Sequence, residues 1–555
     1  MNLYVDLETN TKHSEIWCAA YAVDDEDAEV TRDPDFLHDL IAKADCIINH
    51  NLIGFDGPVL ERVWNIKVPF KKMMDTLVMS RLWNPALPEG HSLEAWGTRL
   101  NMPKGDFRDY DAGYSTEMAE YAKQDVRITR ALHRHLYSEL VREKFTDASI
   151  HLEHQVAYIV EKQVRQGVTF ELIDALGLKQ TIEARMQAIE AEMQLTFPPI
   201  VTERYSEKTQ KRLKDAVECF NPGSRQQIAS RLQSIGVEFT SFTETGMAKV
   251  DEEVLESIAK PEAKLIAEYL MLQKRLGLVK AWIDACTVAG KIHGKVLTNG
   301  AVTGRMTHYS PNLAQIPAVS APYGKECRSL FRPSAGKVMV GIDASALELC
   351  MLAHYMKDDD FTKSVVEGKK EDKTDVHSRN QAAAGLPTRD QAKTFIYALL
   401  YGAGPGKIGA IVGGGAAEGA KLINTFMENM PKLAKLKHKT EKAAEVEGVT
   451  LTGLDGRRLR VRSAHSALNT KLQSAGAIVM KQALVILYNK ILKYKLDAKF
   501  LLNVHDEWQL EVSRDHAEEV ARLGVESIKE AGEALGLRCP LTGDARIGNN
   551  WAETH

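Results

Sequence analysis

The chain places carboxylates at the ends of its most apolar strands. Lys337-Val-Met-Val-Gly-Ile-Asp343 is an apolar run that ends in an acid, and a helical pattern with Glu348 in its first turns follows it. Lys499-Phe-Leu-Leu-Asn-Val-His505-Asp506-Glu507-Trp-Gln-Leu-Glu-Val reads as two short apolar strands around a polar turn. Leu3-Tyr-Val-Asp6-Leu-Glu8 is a third such strand, and Asp6 and Glu8, two apart, project to one face. Two carboxylates on one face repel unless cations or protons lie between them. An acid where an apolar strand meets a helix is a common place for a metal or ligand site. Strands of this kind among long helical patterns predict a multidomain α/β fold.

The chain of 555 residues is too long for one core, which implies roughly two to four domains. Its net charge of -4 gives no basic footprint, so any nucleic-acid surface has to be local. The seven cysteines are scattered, without a close metal-type pair, as expected of free thiols in a reducing, cytosolic compartment. Met1-Asn-Leu-Tyr-Val-Asp6 reads as strand with no leader signature, and no apolar run suggests a membrane span.

The first acids have companions. Cys46-Ile-Ile-Asn49 is a strand that leads into a turn-rich segment, Leu52 to Pro58, presenting Asp56. Met118 to Thr129 reads as a helix with Tyr121 and Asp125 one turn apart on one face. Four carboxylates can hold two divalent metals about 3.5–4 Å apart around a scissile phosphate. Tyr121 would then orient the attacking water. An Asp-x-Glu pair alone is also an ordinary surface strand end; the three pieces in this order favour the site. Asp75 reads as structural.

Thr388 to Gly402 reads as a helix with both ends marked. Thr388 and Gln391 form a capping-box start after Pro387, and Gly402-Ala-Gly-Pro-Gly406 stops it. Arg389, Lys393, Tyr397 and Tyr401 recur every fourth residue and share a face, while Ala392, Phe395, Ile396 and Leu399 dock the helix. Two cations followed by two phenols suit a polyphosphate carrying a planar base. Alone, the same stripe is a solvated basic edge with half-buried tyrosines.

Elsewhere, His151 to Gln194 is helical and Thr202 to Lys214 reads as a basic loop or short exposed helix. Asp375-Val-His377 starts another helix. Leu454-Asp-Gly-Arg457-Arg-Leu-Arg-Val-Arg462 is a hairpin whose arginines either touch phosphates or form a salt-bridged edge. Asn469 and Gln473 share a face of a long helix.

In combination these segments resemble the family A, or DNA polymerase I-like, DNA polymerases. Asp343-Ala-Ser-Ala-Leu-Glu348 resembles motif A, Arg389 to Gly402 motif B and Val504-His-Asp-Glu507 motif C. Thr303-Gly-Arg305 and Asn469…Gln473 also match, and residues 1–145 resemble a DEDD-type 3′→5′ exonuclease with a tyrosine in its third motif. The flavour is that of replicative polymerases of short-tailed bacteriophages. Ala344, Ala346 and Cys350 depart from the bacterial motif A, where an aromatic, a glutamine and an arginine stand.

The resemblance implies an RNase H-like exonuclease domain (1–145), a thumb with connecting helices (146–298), a palm in two parts (299–356 and 468–555) and fingers (357–467). It implies that Asp343 and Asp506, with the Ala344 carbonyl, hold two Mg²⁺ ions, and that Asp6, Glu8, Asp56 and Asp125 hold two more. Mn²⁺ is an alternative occupant of both sites. Arg389, Lys393 and His377 would take the triphosphate, with Lys393 protonating the pyrophosphate. Tyr397 would pack on the nucleotide and, with Glu348, exclude a 2′-hydroxyl, and Tyr401 would stack at the template position. Arg305, Asn469 and Gln473 would read the minor groove, and His505 would contact the primer end. The implied partners are primer–template DNA, dNTPs, a phage helicase-primase and a single-strand binding protein, in the host bacterial cytoplasm if the chain is phage-encoded. Host thioredoxin is not expected, because the thumb segment Phe197 to Phe220 is short. No 5′ nuclease segment is apparent, so nick translation is not expected either. Two alternatives are a single-subunit RNA polymerase-like enzyme, against which Glu348 argues, and a nuclease whose polymerase-like half only binds DNA. A non-enzymatic DNA-binding scaffold would leave the acids at both sites unexplained.

Overall fold

The structure, a computed structural model, describes residues 1–239, 241–243, 245–446 and 450–555. Its N-terminal part is a five-stranded sheet in the order Glu29–Thr31, Ile16–Val23, Asn2–Thr9, Cys46–Asn49, Met73–Asp75. Asn2–Thr9 runs antiparallel to Ile16–Val23 and parallel to Cys46–Asn49, so the strand with Asp6 and Glu8 is central. The helix Thr116–Arg142, capped by Ser115, lays Ala122 and Val126 against Tyr4, Ala20 and Ile48 of this sheet. Docking through that stripe turns Asp125 toward the strand acids. Asp56 does not sit on an open turn as expected. Leu52–Asp56 is one wide helical turn that continues into the helix Gly57–Val63, and this buries Asp56 to 2% exposure. Asp75 is structural, accepting from the backbone N–H of Asn51, Ile53 and Leu77.

The expected helical stretch from His151 to Gln194 is two helices, Asp147–Gln166 and Leu172–Thr196. Gly167, at φ +62°, turns the chain into the strand Val168–Phe170, which pairs with Lys291–Ile292 and Phe331–Arg332. The basic segment after Thr202 is a loop, one of the two forms expected, and it closes a hairpin of Ile200–Thr202 with Ala216–Glu218. β-branched Ile200, Val201, Thr202 and Val217 favour strand at the two ends of that loop.

A second sheet has four strands in the order Ala498–Val504, Glu507–Ser513, Lys337–Ala344, Gly543–Gly548, each antiparallel to its neighbour. The helices Ala467–Lys493 and Ala517–Ala534 bury their apolar faces in the core beneath it. Ala467–Lys493 is long and apolar enough to cross a membrane by length and composition, contrary to the expectation of no such run. Here Leu472, Ile478, Val479 and Leu484 of that helix are fully buried in the protein.

Between the halves of this sheet lie the helices Val376–Ala384, Arg389–Leu400, Pro405–Ala410, Ala416–Asn429 and Pro431–Glu445. Thr388 Oγ1 caps Arg389–Leu400 by accepting from the Gln391 N–H. The Gln391 side chain bonds to Thr388 Oγ1 and the Ile411 carbonyl instead of closing the box. Ala392, Phe395, Ile396 and Leu400 form the buried face, so Leu400 takes the place expected of Leu399. The helix ends at Leu400 and Tyr401 is its C-cap, just before Gly402 at φ +79°.

Candidate active sites

The ligand oxygens of Asp6, Glu8 and Asp125 all lie within 4.8 Å of one another. Burial, then repulsion from Asp125, pushes the Asp6 carboxyl up to about 7. Burial, then Asp6, pushes Glu8 up to about 9, and burial raises Asp125 to about 6. Asp56 stands beside this trio. It accepts from the Leu7 N–H at 3.2 Å and is raised by burial and by Asp6. The Tyr121 hydroxyl accepts from Tyr110 OH at 3.3 Å, and burial raises its pKa. The structure thus brings all five predicted residues together. It adds one that the sequence did not flag, Lys104, 2.6 Å from Asp125. The donors fit divalent cations: they are hard oxygens, crowded together, and the buried Asp125 Oδ1 has no hydrogen-bond partner.

The second cluster is built by strand register. Asp343 lies opposite Glu507 on one side and Asp544 on the other, and the Ala344 N–H donates to the Asp506 carbonyl at 3.1 Å. Asp343 and Asp506 therefore meet at the mouth of the sheet, with His505, at φ +59°, making the turn. Burial, then repulsion from Asp506, raises Asp343 to about 7, and burial with Glu348 raises Asp506 to about 6. Asp343 is open to solvent at the mouth. These paired oxygens also fit divalent cations. Glu507, beside them, is occupied by other partners. It accepts from Gln509 Nε2 (2.6 Å) and Trp551 Nε1 (2.5 Å) and pairs with His555 Nδ1 at 3.0 Å. Those donors overcome its burial and hold it below the usual range.

The helix Arg389–Leu400 faces this mouth. Arg389 is paired with Asp375, whereas Lys393 is exposed. Tyr397 stacks 6.5 Å from Tyr401 and lies 6.0 Å from the His377 ring. Burial lowers His377, and its buried Nδ1 has no partner. Glu348 Oε1 accepts from Tyr401 OH at 2.7 Å and from Arg305 Nη2 at 3.1 Å. Tyr401 is thereby tied to Glu348 over the site. The Asn469 amide donates to the Leu400 carbonyl and so caps this helix, while Gln473 remains on the half-buried face. A small cavity beside Asp506 is lined by Arg305, Leu347, Gly476, Lys481 and His505.

The hairpin arginines are not free for phosphates as one reading had them. Arg457 is buried against Asp455 and Glu153, and Arg458 and Arg460 bond to Glu143. Arg462 alone of the four is exposed. Glu153 and Glu143 lie more than 300 residues away in sequence, beyond the reach of local pattern.

Residues 199–553 match the family model of DNA polymerase family A. A DNA-directed DNA polymerase of Escherichia phage T7 is 34% identical, with 94% of this chain and 94% of the relative aligned. The enzyme of Enterobacteria phage T3 gives the same figures, and DNA polymerase I of Pseudomonas aeruginosa is 28% identical over 78% of this chain and 47% of its own length. The fold is similar to the POL domain of Pol1 from M. smegmatis, solved in complex with a DNA primer-template and dNTP. The TM-score is 0.82 at 18% identity, covering 100% of this chain and 96% of that one. The chain belongs to DNA polymerase family A, and its right-hand α/β fold is that of the family. Its similarity to the T7 and T3 enzymes spans nearly the whole of both chains.

Proposed function

We propose that this chain is a DNA-directed DNA polymerase that extends a primer 3′ end with dNTPs and excises mispaired 3′ ends at a second site, in phage DNA replication. The observation that carries the reading is the pair of separate carboxylate clusters, each at the tip of a central strand, in a family A chain. The domain division is the one the resemblance implies: exonuclease 1–145, thumb 146–298, palm 299–356 and 468–555, fingers 357–467.

Two Mg²⁺ ions at each cluster, or Mn²⁺ in their place, would lower the pKa of the attacking oxygen and stabilise charge at the phosphorus. Asp343 and Asp506 hold the polymerising site open at the sheet mouth, and Asp6, Glu8, Asp56 and Asp125 hold the excising one. Lys393 reaches the triphosphate from the exposed helix face and gives the leaving pyrophosphate a proton. Arg389 and His377 complete the phosphate contacts, and Tyr397 packs on the sugar. Glu348 closes the space beneath C2′ and so rejects a 2′-hydroxyl. Arg305 and Gln473 face minor-groove acceptors, which every correct pair presents alike. Asn469 fixes the end of the fingers helix beside them, and His505 meets the primer end. Tyr121 orients the attacking water at the excising site.

The alignment with the T7 enzyme runs over 670 positions, more than this chain contains, so that relative carries insertions absent here. The short segment from Phe197 to Phe220 favours a thumb that works without a thioredoxin clamp. A labelled primer–template incubated with and without dNTPs tests the whole reading. Asp343→Ala abolishes extension and spares excision, and Asp6→Ala does the reverse. Loss of both activities from either change would sink the two-site reading.

A further inference from the structure

Lys104 lies between the helices Leu93–Arg99 and Thr116–Arg142, in a stretch that crosses the N-terminal acid cluster. Its ammonium is 2.6 Å from Asp125 Oδ2 and 4.8 Å from the centre of the Tyr121 ring. Its side chain is 23% exposed and that of Asp125 only 4%, so the pair is largely shielded from water. The stretch is fastened down around it. Trp17 Nε1 donates to the Tyr110 carbonyl at 2.7 Å, and the Thr11 N–H and hydroxyl donate to Asp111 at 2.9 and 2.8 Å. Phe107 packs 5.7 Å from Tyr121. The same ammonium offsets the rise in pKa of Asp6 and Glu8, so its charge is felt by the whole trio.

We propose that Lys104 is a resident counter-cation of the excising site, which a divalent metal has to displace from Asp125 before the site can act. The inference rests on the exonuclease reading of these acids. An ammonium and a divalent cation a few ångströms apart repel strongly where water is excluded. Lys104 sits on a flexible four-carbon stem, which lets it yield by swinging away from Asp125. The salt bridges near the C-terminal acids end on Glu348 and Glu507, leaving Asp343 and Asp506 without a matching internal cation among the described residues. Scarce metal would therefore load the polymerising site first and spare correctly paired primers.

The test is Mn²⁺ binding to the full chain carrying Asp343→Ala and Asp506→Ala, followed by the paramagnetic resonance of the free ion. Adding Asp6→Ala identifies the binding that belongs to the N-terminal cluster. Lys104→Ala, and Lys104→Met, which keeps the stem, should each tighten that binding about tenfold, while Lys104→Arg should resemble the wild type. Unchanged or weaker binding in the two neutral variants would overturn the proposal. Excision of a labelled single strand is scored separately in chains that keep Asp343 and Asp506. Tightened Mn²⁺ binding with no excision by the wild type would leave the counter-cation in place and remove the exonuclease reading. Excision with unchanged binding would do the opposite.

Discussion

The guanidinium of Arg389 donates twice to one oxygen of Asp375, from Nη2 at 2.8 Å and from Nε at 3.1 Å. Asp375 also caps the neighbouring helix, accepting from the His377 N–H at 3.0 Å and from Ser378 Oγ at 2.5 Å. Burial works against its charge, yet these donors hold its carboxyl down at about 2. One acid thus fixes both Arg389 and His377, two of the proposed phosphate contacts.

Asp375→Asn keeps a capping oxygen and loses the ion pair, whereas Asp375→Ala loses both. Both changes should raise the KM for dNTP, by about tenfold for Ala, with a smaller change in kcat and no change in single-strand excision. Ala should also cost about 1 kcal/mol of stability for the lost cap. Steady-state kinetics on a short primer–template decide it; an unaltered KM in Asp375→Ala would show that Arg389 needs no such anchor.

Glu153 is fully buried between two cations, with Lys481 Nζ at 2.7 Å and Arg457 Nη1 at 2.6 Å. Three separate pieces of chain meet there: the helix Asp147–Gln166, the helix Ala467–Lys493 and the turn before Arg458. Glu153→Gln leaves the buried Lys481 ammonium without its carboxylate and Arg457 with Asp455 alone, and removing one member of such a network costs about 3–5 kcal/mol. Urea unfolding should show the loss as a lower midpoint, and a shift equivalent to less than 1 kcal/mol would mean that water reaches this network.

The bonds of Glu348 to Tyr401 and Arg305 place its carboxylate under the helix Arg389–Leu400. Glu348→Ala should raise the efficiency of ribonucleotide use relative to dNTP by about tenfold or more, because the blocking group is gone. Tyr401→Phe removes only one donor, so its effect on the same kcat/KM ratio should be smaller. Equal ratios in wild type and Glu348→Ala would move sugar discrimination to Tyr397.

The strands that end in Asp343 and Asp506, and the helix started by Thr388, were legible because their signals are local. Apolar runs, a polar turn and a capping hydroxyl all lie within a few residues of what they determine. The Asp56 turn was misjudged because Gly54, Gly57 and Pro58 signal a bend, and only packing against the sheet winds them into helix. The partners of Arg457, Arg458 and Arg460 are set by tertiary contact with Glu153 and Glu143. Lys104 carries no periodic signal at all. It became visible only when the fold laid its stretch of chain across Asp125.

The N-terminal acids are held together against their own repulsion, and this gives the metal-free protein a distinctive pH dependence. Glu8 is 5% exposed, and burial with Asp6 lifts its carboxyl to about 9, against about 4.3 for a glutamate in an unfolded chain. Between those values the folded chain keeps a proton that the unfolded chain has released. Stability therefore falls as pH rises through this window. Glu8→Gln removes the term. In EDTA at pH 8 the variant should melt above the wild type, by on the order of 2 °C or more. The gap should close toward pH 4, where both states of the wild type hold the proton. Mg²⁺ should then stabilise the wild type at pH 8 more than the variant, because binding to the folded state alone raises its stability and the variant has lost a ligand. Scanning calorimetry at several pH values, with and without Mg²⁺, measures all three trends, and a variant that melts below the wild type in EDTA at pH 8 would mean that Glu8 is stabilised in the fold rather than strained.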